Sequence, residues 1–140
     1  MTEVYAMDVH TDSCRRQLIL LAHGSRDAGW CSTFEKGVAI INRHLETGAC
    51  LAYMEMATPG LESVIREHYD KGMRKFDLLP LFFAEGRHLL HDVPGQIGTL
   101  QLHFPGTEIR LLEAVGRQDM FWEALGILIS TEVETGSVAT

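Results

Sequence analysis

The sequence predicts an α/β protein: a doubly wound, mainly parallel four-stranded sheet with helices on both faces. Three observations carry this expectation. Short, near-continuous apolar runs alternate along the chain with segments whose apolar residues recur at helical spacing. The runs lack the in-and-out alternation of a sheet with one wet face, so both of their faces must be covered. The stretches between runs are long enough to hold a helix, and parallel strands joined in that way wind right-handedly.

Residues 17–22 (Gln-Leu-Ile-Leu-Leu-Ala) form the first apolar run. Residues 34–45 place Phe34, Val38, Ile41 and Leu45 on one helical stripe, with Glu35, Lys36 and Arg43 opposite. Thr47-Gly48 ends that helix, since glycine readily takes the left-handed closing conformation. Residues 49–54 are the second strand. Thr58 then reads as a helix cap and Pro59 as a first-turn residue. The helix that follows carries Leu61, Val64, Ile65, His68 and Tyr69 on one stripe and stops at Gly72. Residues 76–83 are the third strand, where Pro80 predicts a bulge or an unpaired backbone position. Asp92 is expected to cap a third helix, weakened by Gly95 and Gly98. After the turn Phe104-Pro105-Gly106 comes a fourth strand, 108–114. The last helix, 119–131, has Phe121, Trp122, Leu125, Leu128 and Ile129 as its apolar face. The domain reading is an N-terminal extension over 1–16, one α/β domain over 17–131 and a frayed tail over 132–140.

Bulk composition narrows the function classes. At 140 residues, 46% hydrophobic and 22% charged, the chain is an ordinary globular length and mixture. No apolar stretch approaches the roughly 20 residues that span a bilayer, so no membrane partner is expected. The polar start, with Glu3 and Asp8, does not read as a signal peptide. Cys14, Cys31 and Cys50 fit neither a disulfide framework nor a zinc knuckle, and reduced thiols in the cytoplasm are the simplest account. A net charge of −7 argues against nucleic acid. It also means that an anionic substrate has to be met by local arginines.

The candidate site sits where three strands end. His23 opens the loop His23-Gly24-Ser25-Arg26-Asp27 directly after the first strand. Glu55 follows the second. His88 lies in the loop Glu85-Gly86-Arg87-His88 after the third, ahead of Asp92-Val93-Pro94. Open α/β sheets bind ligands outside the carboxyl ends of their strands. Two imidazoles and a carboxylate on that rim make a metal's ligand set. Arg26 and Arg87 flank it and are the arginines best placed to meet an anion.

Taken together, the His23 loop, Glu55, Pro80-Leu81-Phe82, Gly86-Arg87-His88 and Asp92-Val93-Pro94 resemble the sirohydrochlorin cobaltochelatase family. The likeness is to its short, single-half form, related to the sirohydrochlorin ferrochelatases, and runs from about Leu18 to Val115. It implies a lyase-type chelatase that inserts a divalent metal into a tetrapyrrole, in cobalamin or siroheme synthesis. It also implies His23, Glu55 and His88 as metal ligands, and a homodimer with the macrocycle in a cleft between the halves. The metal is then a substrate, Co²⁺ first and Fe²⁺ or Ni²⁺ otherwise, and no organic cofactor is expected. Imidazole and carboxylate suit all three ions, and an incomplete shell lets the ion leave again. His23 and His88 are also the candidate bases for the two pyrrole protons that must depart. Ser25, Arg26 and Arg87 would bind the carboxylates of the substrate.

Each residue also has a plain structural reading. A histidine after a strand is often only a hydrogen-bonded loop residue, Glu55 could be a solvated strand end, and Arg26 could pair with Asp27. His44 and His68 read as helix residues without a site role. Two positions depart from the family pattern. Glu85 stands where a small or apolar residue is expected, and either adds a ligand or repels an anionic macrocycle. His91 stands where another polar residue is usual. Glu85 favours the alternative of a non-catalytic metal- or tetrapyrrole-binding protein. A histidine-type phosphatase needs arginine directly before its histidine, and Ala22 stands there.

Overall fold

The computed structural model describes residues 15–136, and the rest of the proposed extension and tail lies outside them. Strands β1 (Gln17–Ala22), β2 (Ala49–Tyr53), β3 (Lys75–Pro80) and β4 (Glu108–Leu111) form one sheet in the order β2-β1-β3-β4, all parallel. Helices α1 (Ala28–Asn42), α2 (Leu61–Asp70), α3 (Arg87–His103) and α4 (Asp119–Thr135) alternate with them. This is the doubly wound class expected from the sequence. The chain reverses its winding between β1 and β3, so the switch point that draws ligands in such sheets lies between their carboxyl ends.

One face of the sheet carries the larger core. Ile19, Leu21, Phe76 and Leu78 pack there against Val64 and Ile65 of α2 and Val93, Ile97 and Leu100 of α3. The other face is covered more thinly, with Leu20 and Ala49 meeting Val38 of α1 while Leu79 and Leu81 stay partly exposed. At the opposite end from the rim, Asp77 of β3 holds two arginine side chains, Arg16 just before β1 and Arg110 on β4. Its carboxylate accepts from Arg16 Nε at 2.7 Å and from Arg110 Nε and Nη2, each at 2.7 Å. The Arg110 hydrogen bonds, with those of Arg16, hold its carboxyl below the usual aspartate range.

Several local expectations need correction. Helix α1 begins at Ala28, well before the Phe34 stripe, because Asp27 caps it: its carboxylate accepts from Gly29 N at 2.8 Å. Thr58-Pro59 does not open α2. Gly60 caps that helix, and Pro59 instead lends its carbonyl to Tyr53 N at 2.9 Å. Asp92 does not cap α3, which starts at Arg87 and contains Pro94. Pro94 is the eighth residue of this helix, about two turns past the first position where proline is favoured. Pro80 causes no bulge. It pairs in register with Leu21 as the last residue of β3, beyond the reach of β4, so its missing N–H breaks no ladder bond.

Helix α4 departs most from expectation. It runs to Thr135 and closes on Gly136 in the left-handed conformation, so 132–135 are helical rather than frayed. None of its residues is buried. Ile127, Leu128, Ile129 and Val133 are all more than half exposed. Its first turn is moored: Phe121 and Trp122 stack with Phe83, and Trp122 Nε1 donates to Gly116 O at 2.6 Å.

Candidate metal site at the strand ends

Backbone bonding brings the first two candidate residues together. Beyond β1 and β2 the ladder continues, with Met54 N donating to Ala22 O at 2.9 Å and Glu55 N to His23 O at 3.1 Å. The approach is so close that a Cβ on residue 24 would collide with the Glu55 carbonyl. Gly24 also has a φ of +96°, so this position needs glycine on two grounds. Met56, next to Glu55, has a φ of 61°, unusual for a residue with a side chain and found where a loop is held in a set shape. Tyr53 N bonding to Pro59 O draws in the base of that loop.

The His23 ring lies 4.0 Å, centroid to centroid, from the ring of Phe82, which is buried just past β3. Leu81 N donates to Leu21 O at 2.8 Å and holds the two loops side by side. The imidazole therefore spans the switch point, with one face against Phe82 and the residue exposed to solvent. Glu55 is exposed as well.

In front of them opens a cleft of about 700 Å³, lined by His23, Met54, Glu55, Leu89, His91, Asp92, Gly95 and Gln96. It is therefore a cleft between the strand ends and the exposed side of α3. His88 is the second residue of α3, placed on a helix rather than in the expected loop; its side chain lies outside what the structure describes. Among the described residues no group of three or more His, Cys, Asp or Glu side chains is placed to hold a metal ion. Imidazole and carboxylate donors around open space suit an ion that must be taken up and released.

The proposed substrate contacts fare differently. Ser25 accepts from Asp27 N at 3.0 Å, as part of the turn into α1. Arg26 and Arg87 are exposed near the rim, and neither is among the residues lining the cleft. Another arginine, which sequence reasoning missed, lines a neighbouring groove. A second groove of about 790 Å³ shares Met54, Gly95 and Gln96 with the first and is lined further by Glu62, Arg66 and His103. Arg66 pairs there with Glu62 at 3.0 Å. Its sequence signature, a glutamate four residues before an arginine, marks only a surface helix pair.

Glu85 is not among the residues that line the His23–Glu55 cleft. Its carboxylate accepts from Ala114 N at 3.4 Å and from Arg117 Nη1 at 3.1 Å, and so ties the segment after β3 to the one after β4. His68 is structural, as expected: Nδ1 lies 2.9 Å from Val64 O and Nε2 3.5 Å from Cys50 Sγ. Burial pushes the Cys50 thiol pKa up.

A doubly wound domain with a cleft at its switch point belongs to the broad class of α/β proteins that bind small ligands at the carboxyl edge of the sheet. More narrowly, this chain belongs to the CbiX family, whose model matches residues 17–132. A solved CbiX protein from Marinobacter aquaeolei VT8 is 40% identical, with a TM-score of 0.80 over 86% of this chain and 99% of that one. A sirohydrochlorin cobaltochelatase of Saccharolobus islandicus (strain L.S.2.15 / Lassen #1) is 26% identical over 69% of this chain and 78% of its own. Another, from Methanothermobacter thermautotrophicus, is 30% identical over 58% of this chain and 57% of its own. SirB from Bacillus subtilis, solved with Fe³⁺, shares the fold at a TM-score of 0.72 and 19% identity; this chain covers 49% of its length.

Proposed function

We propose that the protein is a chelatase that inserts a divalent metal into sirohydrochlorin, with cobalt as the first candidate and iron or nickel as the others. The observation that carries this is the cleft at the switch point, where His23 and Glu55 are joined by backbone bonds and face open space. The names of the cobaltochelatase relatives support the substrate and the metal.

In this account His23, Glu55 and His88 hold the incoming ion. Neutral imidazoles and one carboxylate bind it firmly enough to orient it, and the unfilled positions admit the macrocycle. As the metal passes to the pyrrole nitrogens its bonds to His23 and His88 break, and the lone pairs so freed accept the two N–H protons that leave the macrocycle. Arg26 and Arg87, exposed at the rim, meet the peripheral carboxylates as the flat substrate settles, with Ser25 beside them. Free thiols at Cys31 and Cys50 are in keeping with a reducing cytoplasm. No helix among the described residues is long and apolar enough to cross a membrane.

The working unit in this account is a homodimer. Two observations support it: the chain covers about half of the SirB chain (49%), and α4 projects a row of unpartnered apolar side chains. A symmetric pair would bury those side chains and supply a second wall for the macrocycle. The test is anaerobic absorbance spectroscopy of sirohydrochlorin mixed with protein and, separately, Co²⁺, Fe²⁺ or Ni²⁺. Conversion to the metallated spectrum faster than a protein-free blank is expected with at least one metal. Blank rates with all three would refute the proposal.

A further inference from the structure

The cleft contains one imidazole that the two histidine motifs do not supply. His91 lies three residues after His88 on α3 and lines the same space as His23 and Glu55. Positions 88 and 91 lie one turn apart on the same helix, both within its first two turns. The packing of α3 is carried by Leu89, Val93, Ile97 and Leu100, while His91 is exposed and makes no hydrogen bond among the described residues. Nothing structural therefore requires histidine here. The Glu55 carboxylate shares the cleft lining with it and favours a cation.

Given the chelatase function proposed above, we propose that His91 is a metal-capturing ligand. It takes a hydrated divalent ion at the open side of the cleft and passes it to His23, Glu55 and His88. Among the described residues no three His, Cys, Asp or Glu side chains gather about one point, which suits successive stations rather than one cage. The step is a ligand exchange: one metal–water bond breaks, one metal–nitrogen bond forms, and the oxidation state is unchanged. The neutral imidazole does this without releasing a proton. Staged exchange also leaves the final ligands free to release the ion to the macrocycle.

The test adds Co²⁺ to the full protein without tetrapyrrole and follows the histidine ring resonances by NMR, wild type beside His91→Ala and His91→Gln. Paramagnetic broadening of the His91 ring at the lowest Co²⁺ additions is expected. Both variants should keep the wild-type circular dichroism, and their KM for metal should rise on the order of tenfold with kcat little changed, the low end of what losing a metal-supporting group costs. A His91 ring untouched by Co²⁺, or an unchanged KM in both variants, overturns the proposal. A wild-type protein whose His91 binds Co²⁺ but which inserts no metal leaves the capture site standing and removes the chelatase function instead.

Discussion

His23 and Glu55 stand side by side because their backbones are bonded, and Gly24 is the residue that permits the approach. His23→Ala and Glu55→Gln are expected to keep the wild-type circular dichroism and to lower the insertion rate on the order of 10²-fold, the scale of lost proton-transfer assistance. Wild-type rates in either variant would remove that residue from the mechanism. Gly24→Ala should instead disturb the fold itself. The new Cβ meets the Glu55 carbonyl, and the left-handed backbone adds strain, together about 2 kcal/mol or more in chemical denaturation. Glu85 gives the converse case. Glu85→Gln should retain insertion within about threefold and lose roughly 1 kcal/mol of stability, since it weakens one ion pair at the edge of the fold. Part of this was legible in the residues. A histidine or glutamate directly after a buried strand has few places to go but the rim. The direction of Glu85 was not legible, because it depends on Ala114 and Arg117, brought near by folding from 29 and 32 positions away.

Among the elements, the strands were the easiest to read and the helix starts the hardest. Strands covered on both faces leave an unbroken apolar run, and β1 begins and ends where its run does. A helix starts at its cap, which can precede the apolar stripe, as Asp27 does in α1, or be a glycine without side-chain bonds, as Gly86 is in α3. Misplacing the start of α3 put His88 in a loop and hid the fact that His91 and Asp92 lie on the helical wall of the cleft. At the far end of the sheet, Asp77 sets how β3 is tied to Arg16 and Arg110. Its carboxyl is held below its unfolded value of about 3.9. It therefore contributes stability that is complete above about pH 4 and is lost as the pH falls through the lower, folded pKa. Asp77→Asn should cost on the order of 2 kcal/mol at neutral pH and flatten the acid limb of a stability–pH curve. An unchanged acid limb would assign that limb to other carboxylates.

On the scale of the whole molecule, the sheet with α1 to α3 is a packed body, and α4 is a helix without a core beneath it. Composition cannot separate the two cases, since an apolar stripe reads the same whether it faces its own domain or another chain. Burying an exposed isoleucine or valine in an interface contributes about 1.5–3 kcal/mol, so several together along α4 are enough to favour association. Ile127→Asp combined with Val133→Asp should convert a dimer of wild-type chains to monomers in light scattering, with the sheet's circular dichroism retained. A monomeric wild-type protein would leave the exposed face of α4 without its proposed partner.

The account depends most on where the metal goes. Anomalous diffraction at the cobalt edge from crystals soaked in Co²⁺ locates it directly. The predicted result is a peak in the rim cleft with His23 nitrogen, Glu55 oxygen and His88 nitrogen as its ligands, at roughly 2.0–2.2 Å if the ion is bound as zinc is by such donors. A well-occupied cobalt elsewhere on the molecule, with the rim cleft empty, would contradict it.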